Sequence, residues 1–206
     1  MFVANGAVKT LENLAARGDP YPLHQPNQLF HNRGGGSFVE VNESELPLLA
    51  VSEVSRGTIA GDLDGDGGVD LIILNNCGPA RILRARTPTP SEWVGFDLRD
   101  RNGRSPAIGT EVAVTTASGR VIKRRVRVAA SYLCANDPRV VVGLRRGIEG
   151  KGTEGLGAEL PLSIQVTYAG GETASFGALA PGQYHTIVRG ELQPRDHSPT
   201  PTRRSP

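Results

Sequence analysis

The chain has 206 residues, 26 of them Gly and 15 Pro, with 21% charged residues and a formal net charge of +2. That length holds one large domain or two small ones, and the near-balanced charge gives no ground for a nucleic-acid partner. No apolar stretch reaches the roughly 20 residues needed to span a bilayer, and the Gly and Pro content suits a turn-rich, all-β chain better than a helical one.

The first residues, MFVANGAVKTLENL, lack the basic start and long apolar core of a signal peptide. Phe2–Gly6 (FVANG) is a short apolar run ending in an Asn-rich turn, and Ile72–Asn76 (IILNN) has the same form. Pro26–Arg33 (PNQLFHNR) likewise corresponds to Pro79–Arg86 (PARILRAR). The two halves recur in the same order, the first copy interrupted by AVKTLENLAARGDPYPLHQ. Self-similarity in a fixed order marks blades or solenoid turns. A strand is expected over 28–32, then a glycine turn and a strand over 37–41. NESELPLLA predicts one short helical turn before Pro47.

Four aspartates, Asp62, Asp64, Asp66 and Asp70, follow in GDLDGDGGVDLIILNN. Unpaired, such carboxylates repel one another. A hard cation removes the conflict, since calcium takes six to eight oxygens at about 2.3–2.6 Å. In D-x-D-x-D-G-x-x-D, alternate residues of a tight loop point inward. Asp62, Asp64 and Asp66 therefore converge, Gly67 permits the turn, Gly68 offers its carbonyl and Asp70 closes the shell. An EF-hand would need Glu at the twelfth loop position, where this chain has Ile73, and helices on both sides. The flanks RGTIAG and VDLIILNN read as strands instead.

RTPTPSE has the composition of a linker. After it, WVGFDLRD alternates Val94, Phe96 and Leu98 with polar or small residues, which predicts a half-buried strand. Hairpins are expected around Ala117-Ser118-Gly119 and around Gly170-Gly171, with PRVVVGL and QYHTIV as further strands. About seven strands would make a small β-sandwich or barrel. From Glu191 on, the chain lacks apolar content and is expected to be disordered. Cys77 and Cys134 sit in unrelated contexts, and two unpaired thiols are the default reading.

The segment from Gly57 to about Arg86, a metal loop between two strands followed by NNCGPARILRAR, resembles the FG-GAP/VCBS blades of β-propellers such as those of integrin α-chains. Residues 93–188 are similar to the ASPIC/UnbV domain. The matching residues are Ile108-Gly109, Gly119, Tyr132-Leu133, Asp137-Pro138-Arg139, Gly143-Leu144, Gly171 and Pro181-Gly182. YLCAND, TYAGG and the insertion RRGIEGKGTEGLGAEL depart from that pattern. The two resemblances together point to the cartilage acidic protein-like family. They imply an all-β chain: one to two partial propeller blades over 1–86, a linker over 87–92, an ASPIC/UnbV-like β-domain over 93–190 and a tail over 191–206. Because the repeat would place a first aspartate loop before Met1, the chain is expected to hold the end of a longer propeller, with a signal peptide lost upstream.

Lys123, Arg125 and Arg127 alternate along one predicted strand and form a candidate face for an anionic ligand, with a charge-protected strand face as the plainer reading. Arg124 points the other way. Asp137-Pro138-Arg139 reads as a structural turn with an Asp–Arg pair, and Tyr132 as a core or corner aromatic. The four histidines are scattered, and no nucleophile elbow, zinc-protease or phosphate-loop motif occurs. The expectation is a non-catalytic, extracellular or periplasmic module with structural Ca2+ and a protein or glycan ligand. Uncovered blade edges are expected to self-associate. The alternative implied by the UnbV name is an accessory role in enediyne-type biosynthesis.

Overall fold

The computed structural model describes residues 1–10, 12–18, 21–86, 90–144 and 160–197. The first 86 residues form small antiparallel sheets. β1 (Phe2–Val3) pairs with β3 (Gln28–Gly34), Phe2 opposite Leu29, and β3 pairs with β4 (Ser37–Glu40). The insertion between β1 and β3 carries one helical turn, α1 (Glu12–Ala15), and β2 (Gln25–Pro26), which pairs with β5 (Ser52–Glu53). β6 (Ser55–Gly61), β7 (Asp70–Asn75) and β8 (Arg81–Leu83) form the next sheet, in that order. Ile72 lies opposite Ile82 just as Phe2 lies opposite Leu29. The two halves of the repeat are thus hydrogen-bonded neighbours in both copies.

The helical turn expected before Pro47 begins at it instead, as a 3-10 turn over Pro47–Ala50. The ring presets φ for a first helical residue, where a missing N–H costs nothing. The residues before it form a turn in which Asn42 accepts the Glu45 and Leu46 amides.

The second half stacks two four-stranded sheets. One runs β11 (Val121–Arg125), β10 (Glu111–Thr116), β15 (Pro161–Thr167), β16 (Thr173–Phe176). The other runs β14 (Val140–Gly143), β9 (Trp93–Arg99), β17 (Tyr184–Val188), β18 (Arg195–His197). A short hairpin, β12 (Ala129–Ser131) and β13 (Cys134–Ala135), belongs to neither sheet and lies against β6. Period-2 patterning sends Val94, Phe96 and Leu98 of β9, Val112 and Val114 of β10, and Ile164 and Val166 of β15 into one core. The result is an all-β fold of several sheets; neither a propeller nor a barrel closes among the described residues. Both predicted hairpins form. Gly119 and Gly171 take positive φ of 83° and 85°, and Gly171 does so alone, without Gly170.

The apolar core is unevenly shared. Among the described residues, Leu49, Val54 and Ile73 are the buried hydrophobic side chains of the first 86 positions, whereas the main core lies wholly within 94–187. The N-terminal sheets therefore depend on docking. They dock on Trp93, Tyr184 and the segment 131–139. Trp93, Gly95 and Asp97 are buried as well as Val94, Phe96 and Leu98, so the half-buried strand expected from WVGFDLRD is covered on both sides. The linker composition of RTPTPSE also misled in part. Residues 87–89 lie outside the described residues, but Pro90–Glu92 forms a 3-10 turn in which the Glu92 carbonyl accepts the Leu144 amide.

The expectation of disorder from Glu191 on is corrected as far as His197. β18 pairs with β17, and Asp196 Oδ1 lies 3.0 Å from Nδ1 of the buried His185, whose Nε2 faces the Ala180 carbonyl at 2.8 Å. Low apolar content hid this strand because backbone pairing and one buried imidazole hold it. Residues 198–206 lie outside the described residues, as does the insertion at 145–159. Truncation after Glu191 is expected to lower stability by about 1–3 kcal/mol, the cost of leaving a buried polar group without its partner. Urea unfolding checks it, and an unchanged midpoint would show that β18 contributes nothing.

Candidate metal centre at the junction

The loop between β6 and β7 is closed at its base by the pairing of Gly61 with Asp70. Within it, Asp62, Asp64 and Asp70 each bring one carboxylate oxygen to within 4.8 Å of the others. Asp62 and Asp70 are buried and Asp64 is exposed. Asp62 organises the loop. Its Oδ1 accepts the Gly65 and Asp66 amides at 2.8 and 3.1 Å, and its Oδ2 accepts the Gly67 amide at 2.8 Å. Asp70 accepts the Leu63 amide on Oδ2 and the Ala85 amide on Oδ1.

Asp66 is not one of the converging carboxylates: its Oδ1 accepts the Gly68 amide at 2.8 Å. Gly68 is buried in the loop. Of the five positions expected to hold calcium, three come together by their side chains.

This donor set consists of carboxylate oxygens alone, which suits a hard cation. The amides orient the carboxylates before any ion arrives. An arginine already serves one of them, because Arg84 forms an ion pair with Asp64. The register that sets Leu71 opposite Leu83 brings Arg84, the next residue, towards the end of the loop.

The loop is clamped to the two-sheet domain. Tyr184 Oη donates to Asp62 Oδ2 at 2.8 Å, a fully buried contact across 122 residues of sequence. Burial first, and then the neighbouring Asp62 carboxylate, push the Tyr184 phenol far above its ordinary pKa, so it remains a donor. Arg139 donates to the Asp62 carbonyl, grips Asp137 through Nε and Nη2, and lies over the Tyr184 ring at 4.6 Å.

Trp93 meets the same ring edge-on, with centroids 5.4 Å apart. A Cβ on Gly67 would lie 2.2 Å from the Trp93 indole, and one on Gly95 would lie 2.4 Å from Tyr184. The open edge of β6 is closed too. The Thr58 amide donates to Ser131 Oγ, the Ala60 amide to Asn136 Oδ1, and the Ala60 carbonyl accepts the Asp137 amide. An exposed edge invites pairing with other chains; here two side chains and one backbone amide of the segment 131–137 satisfy it.

Residues 100–194 match the family model described as ASPIC and UnbV. This segment supplies Arg139 and Tyr184 to the clamp, while the metal loop lies before it. No curated protein matches the chain. A solved structure from Bacteroides ovatus, provisionally described as a cell adhesion protein, aligns over 96% of this chain and 85% of its own at 14% identity, with a TM-score of 0.24. That score is too low to relate the two folds.

Within the ASPIC/UnbV segment, the candidate anion face is partly neutralised. Glu111, opposite Arg125 in the β10–β11 ladder, forms ion pairs with both Lys123 and Arg125. The ammonium of Lys123 holds the Glu111 carboxyl below its usual range. Arg127 carries no such partner among the described residues.

Asp137 and Arg139 form the expected pair, but the sequence did not show that the pair reaches Asp62. Tyr132 is not a core aromatic. It and Leu133 stand 72% and 87% exposed between β12 and β13, with Leu133 at a φ of 51°. A two-residue link between such short strands leaves its side chains in solvent. Cys77 and Cys134 are both free thiols. The described residues bring together no nucleophile–base pair.

Trp93, Tyr184 and Arg84 were missed by sequence reasoning. Only Arg84 left a usable signal, through the register of the β7–β8 ladder.

Proposed function

We propose that the chain is a calcium-stabilised, non-catalytic binding module. In this reading, FG-GAP/VCBS-type blades over residues 1–86 are locked by a metal loop onto an ASPIC/UnbV-type domain over 93–190. The observation that carries it is the convergence of Asp62, Asp64 and Asp70 within 4.8 Å, on a loop whose buried Asp62 is held by Tyr184. Asp62, Asp64 and Asp70 would hold the ion, with the Gly68 carbonyl as a further oxygen and Asp66 reaching it if it releases the Gly68 amide.

Bound calcium supplies positive charge that offsets the repulsion among these carboxylates. The chain's own contribution is orientation: loop amides aim Asp62 and Asp70, and Tyr184 and Arg139 fix the loop's position on the domain. Arg84 neutralises Asp64 without an ion and gives way when one binds. Extracellular modules of this kind bind at about 10⁻⁴–10⁻³ M, which suits a setting outside the cytoplasm. A protein ligand, through an adhesion-type surface, is the partner this reading favours. No observation favours the biosynthetic alternative.

Calcium is expected to raise the melting temperature. Binding to the folded state alone stabilises by about 2.7 kcal/mol at a hundredfold excess over Kd. Asp64→Ala should abolish the gain while changing the melting temperature little in chelator, because the Asp64–Arg84 pair is exposed. Equal melting temperatures in calcium and in chelator for the unmodified chain would remove the metal from the proposal.

A further inference from the structure

A cleft of about 360 Å³ opens between the metal loop and the ASPIC/UnbV segment, bordered by Arg124, Arg125, Arg127 and Arg139. Two carboxylates also face it, Asp62 and Asp137, and both are committed. Asp62 accepts four donors, from Gly65, Asp66, Gly67 and Tyr184. Asp137 accepts the Arg139 amide on Oδ1 and the Arg139 guanidinium on Oδ2. Arg125 is shared with Glu111.

Two guanidiniums remain without a carboxylate among the described residues. Arg124 donates only to the neighbouring Lys123 carbonyl, and Arg127 is exposed. The cleft thus has two uncompensated positive charges on its wall and an apolar part formed by Val69 and Val141. The uncompensated pair, Arg124 and Arg127, differs from the alternating face Lys123, Arg125, Arg127, since Glu111 has taken two of those three.

We propose that this cleft receives a carboxylate side chain from an acidic segment of a partner protein, held by the guanidiniums of Arg124 and Arg127. A guanidinium's planar array of N–H donors matches a carboxylate. The valines accept an aliphatic neighbour of the acidic residue. A saccharide fits less well, because a sugar ring packs its apolar face on an exposed aromatic. The single ring in the cleft wall, Tyr184, is buried, with Arg139 over its face.

The test uses the full chain, a fluorescein-labelled octaglutamate peptide at low ionic strength, and fluorescence anisotropy. The double variant R124Q/R127Q is expected to weaken binding roughly tenfold, as two partly exposed charge pairs would, with an unchanged melting temperature. R17Q/R33Q removes the same charge at exposed positions outside the cleft and is expected to change affinity less than twofold. Should the double variant lose stability, the single R127Q variant at its exposed position carries the comparison and must weaken binding by itself.

Equal losses in the two double variants would reduce the effect to net charge and overturn the proposal. So would absence of binding by the unmodified chain. An octagalacturonate of equal charge binding at least as tightly, with the same arginine dependence, would reassign the cleft to an acidic saccharide.

Discussion

Asp62→Ala lowers stability by about 3–5 kcal/mol in chelator, before any question of metal arises. The substitution leaves three loop amides and the Tyr184 hydroxyl without their acceptor. It also strips the junction of its central buried anion, beside Arg139, which donates to the Asp62 carbonyl. Removing one member of a buried, hydrogen-bonded charged group costs about this much.

Asp64→Ala, one step along the motif, has a small effect under the same conditions, since Asp64 is exposed and its partner Arg84 regains water. The two variants thus separate the loop's architecture from its metal chemistry: both should lose the gain from calcium, and only Asp62→Ala should lose stability without it. Urea titrations in chelator measure the difference. Equal midpoints for the two variants would show that the loop is not organised around Asp62.

Gly67→Ala is expected to be similarly damaging for a different reason. Gly67 holds a φ of 85°, and its missing side chain is the space into which the Trp93 indole fits, 2.2 Å from where a Cβ would stand. The methyl group brings the strain of a left-handed backbone, about 1–2 kcal/mol, and overpacking of about 1–3 kcal/mol. Neither neighbour can yield easily, because Trp93 is buried against Tyr184 and Gly67 is tied to Asp62.

Trp93 is the only tryptophan in the chain, so tryptophan emission reports on the surroundings of this one ring. A red shift under native conditions, together with an unfolding free energy lowered by about 2–5 kcal/mol, is the expected result. An unshifted emission maximum with unchanged stability would mean that the loop does not rest on Trp93 in solution.

Local features of this chain were legible in its sequence. Val112 and Val114, and Ile164 and Val166, alternate into the core because a strand turns over every residue. Gly119 and Gly171 mark hairpins because only glycine takes their φ without strain. The aspartate spacing announced a tight acidic loop because Asp62 and Asp70 flank one hairpin connection. The repeat of FVANG and IILNN recurs in the structure as two strand pairs of the same form.

Tertiary structure alone decided the rest. No spacing rule joins Asp62 to Tyr184 across 122 residues or to Arg139 across 77. Those partners depend on which surfaces meet, and the N-terminal sheets, with few buried apolar residues, take their cover from Trp93, Tyr184 and the segment 131–139. The same non-local pairing made a strand of Arg195–His197, where composition indicated disorder. It also gave Lys123 and Arg125 to Glu111, leaving Arg124 and Arg127 for the cleft. Local conformational preference acts over a few residues and is written in order along the chain. The partner of a buried charge is chosen by proximity after folding, and proximity is a property of the packed sheets.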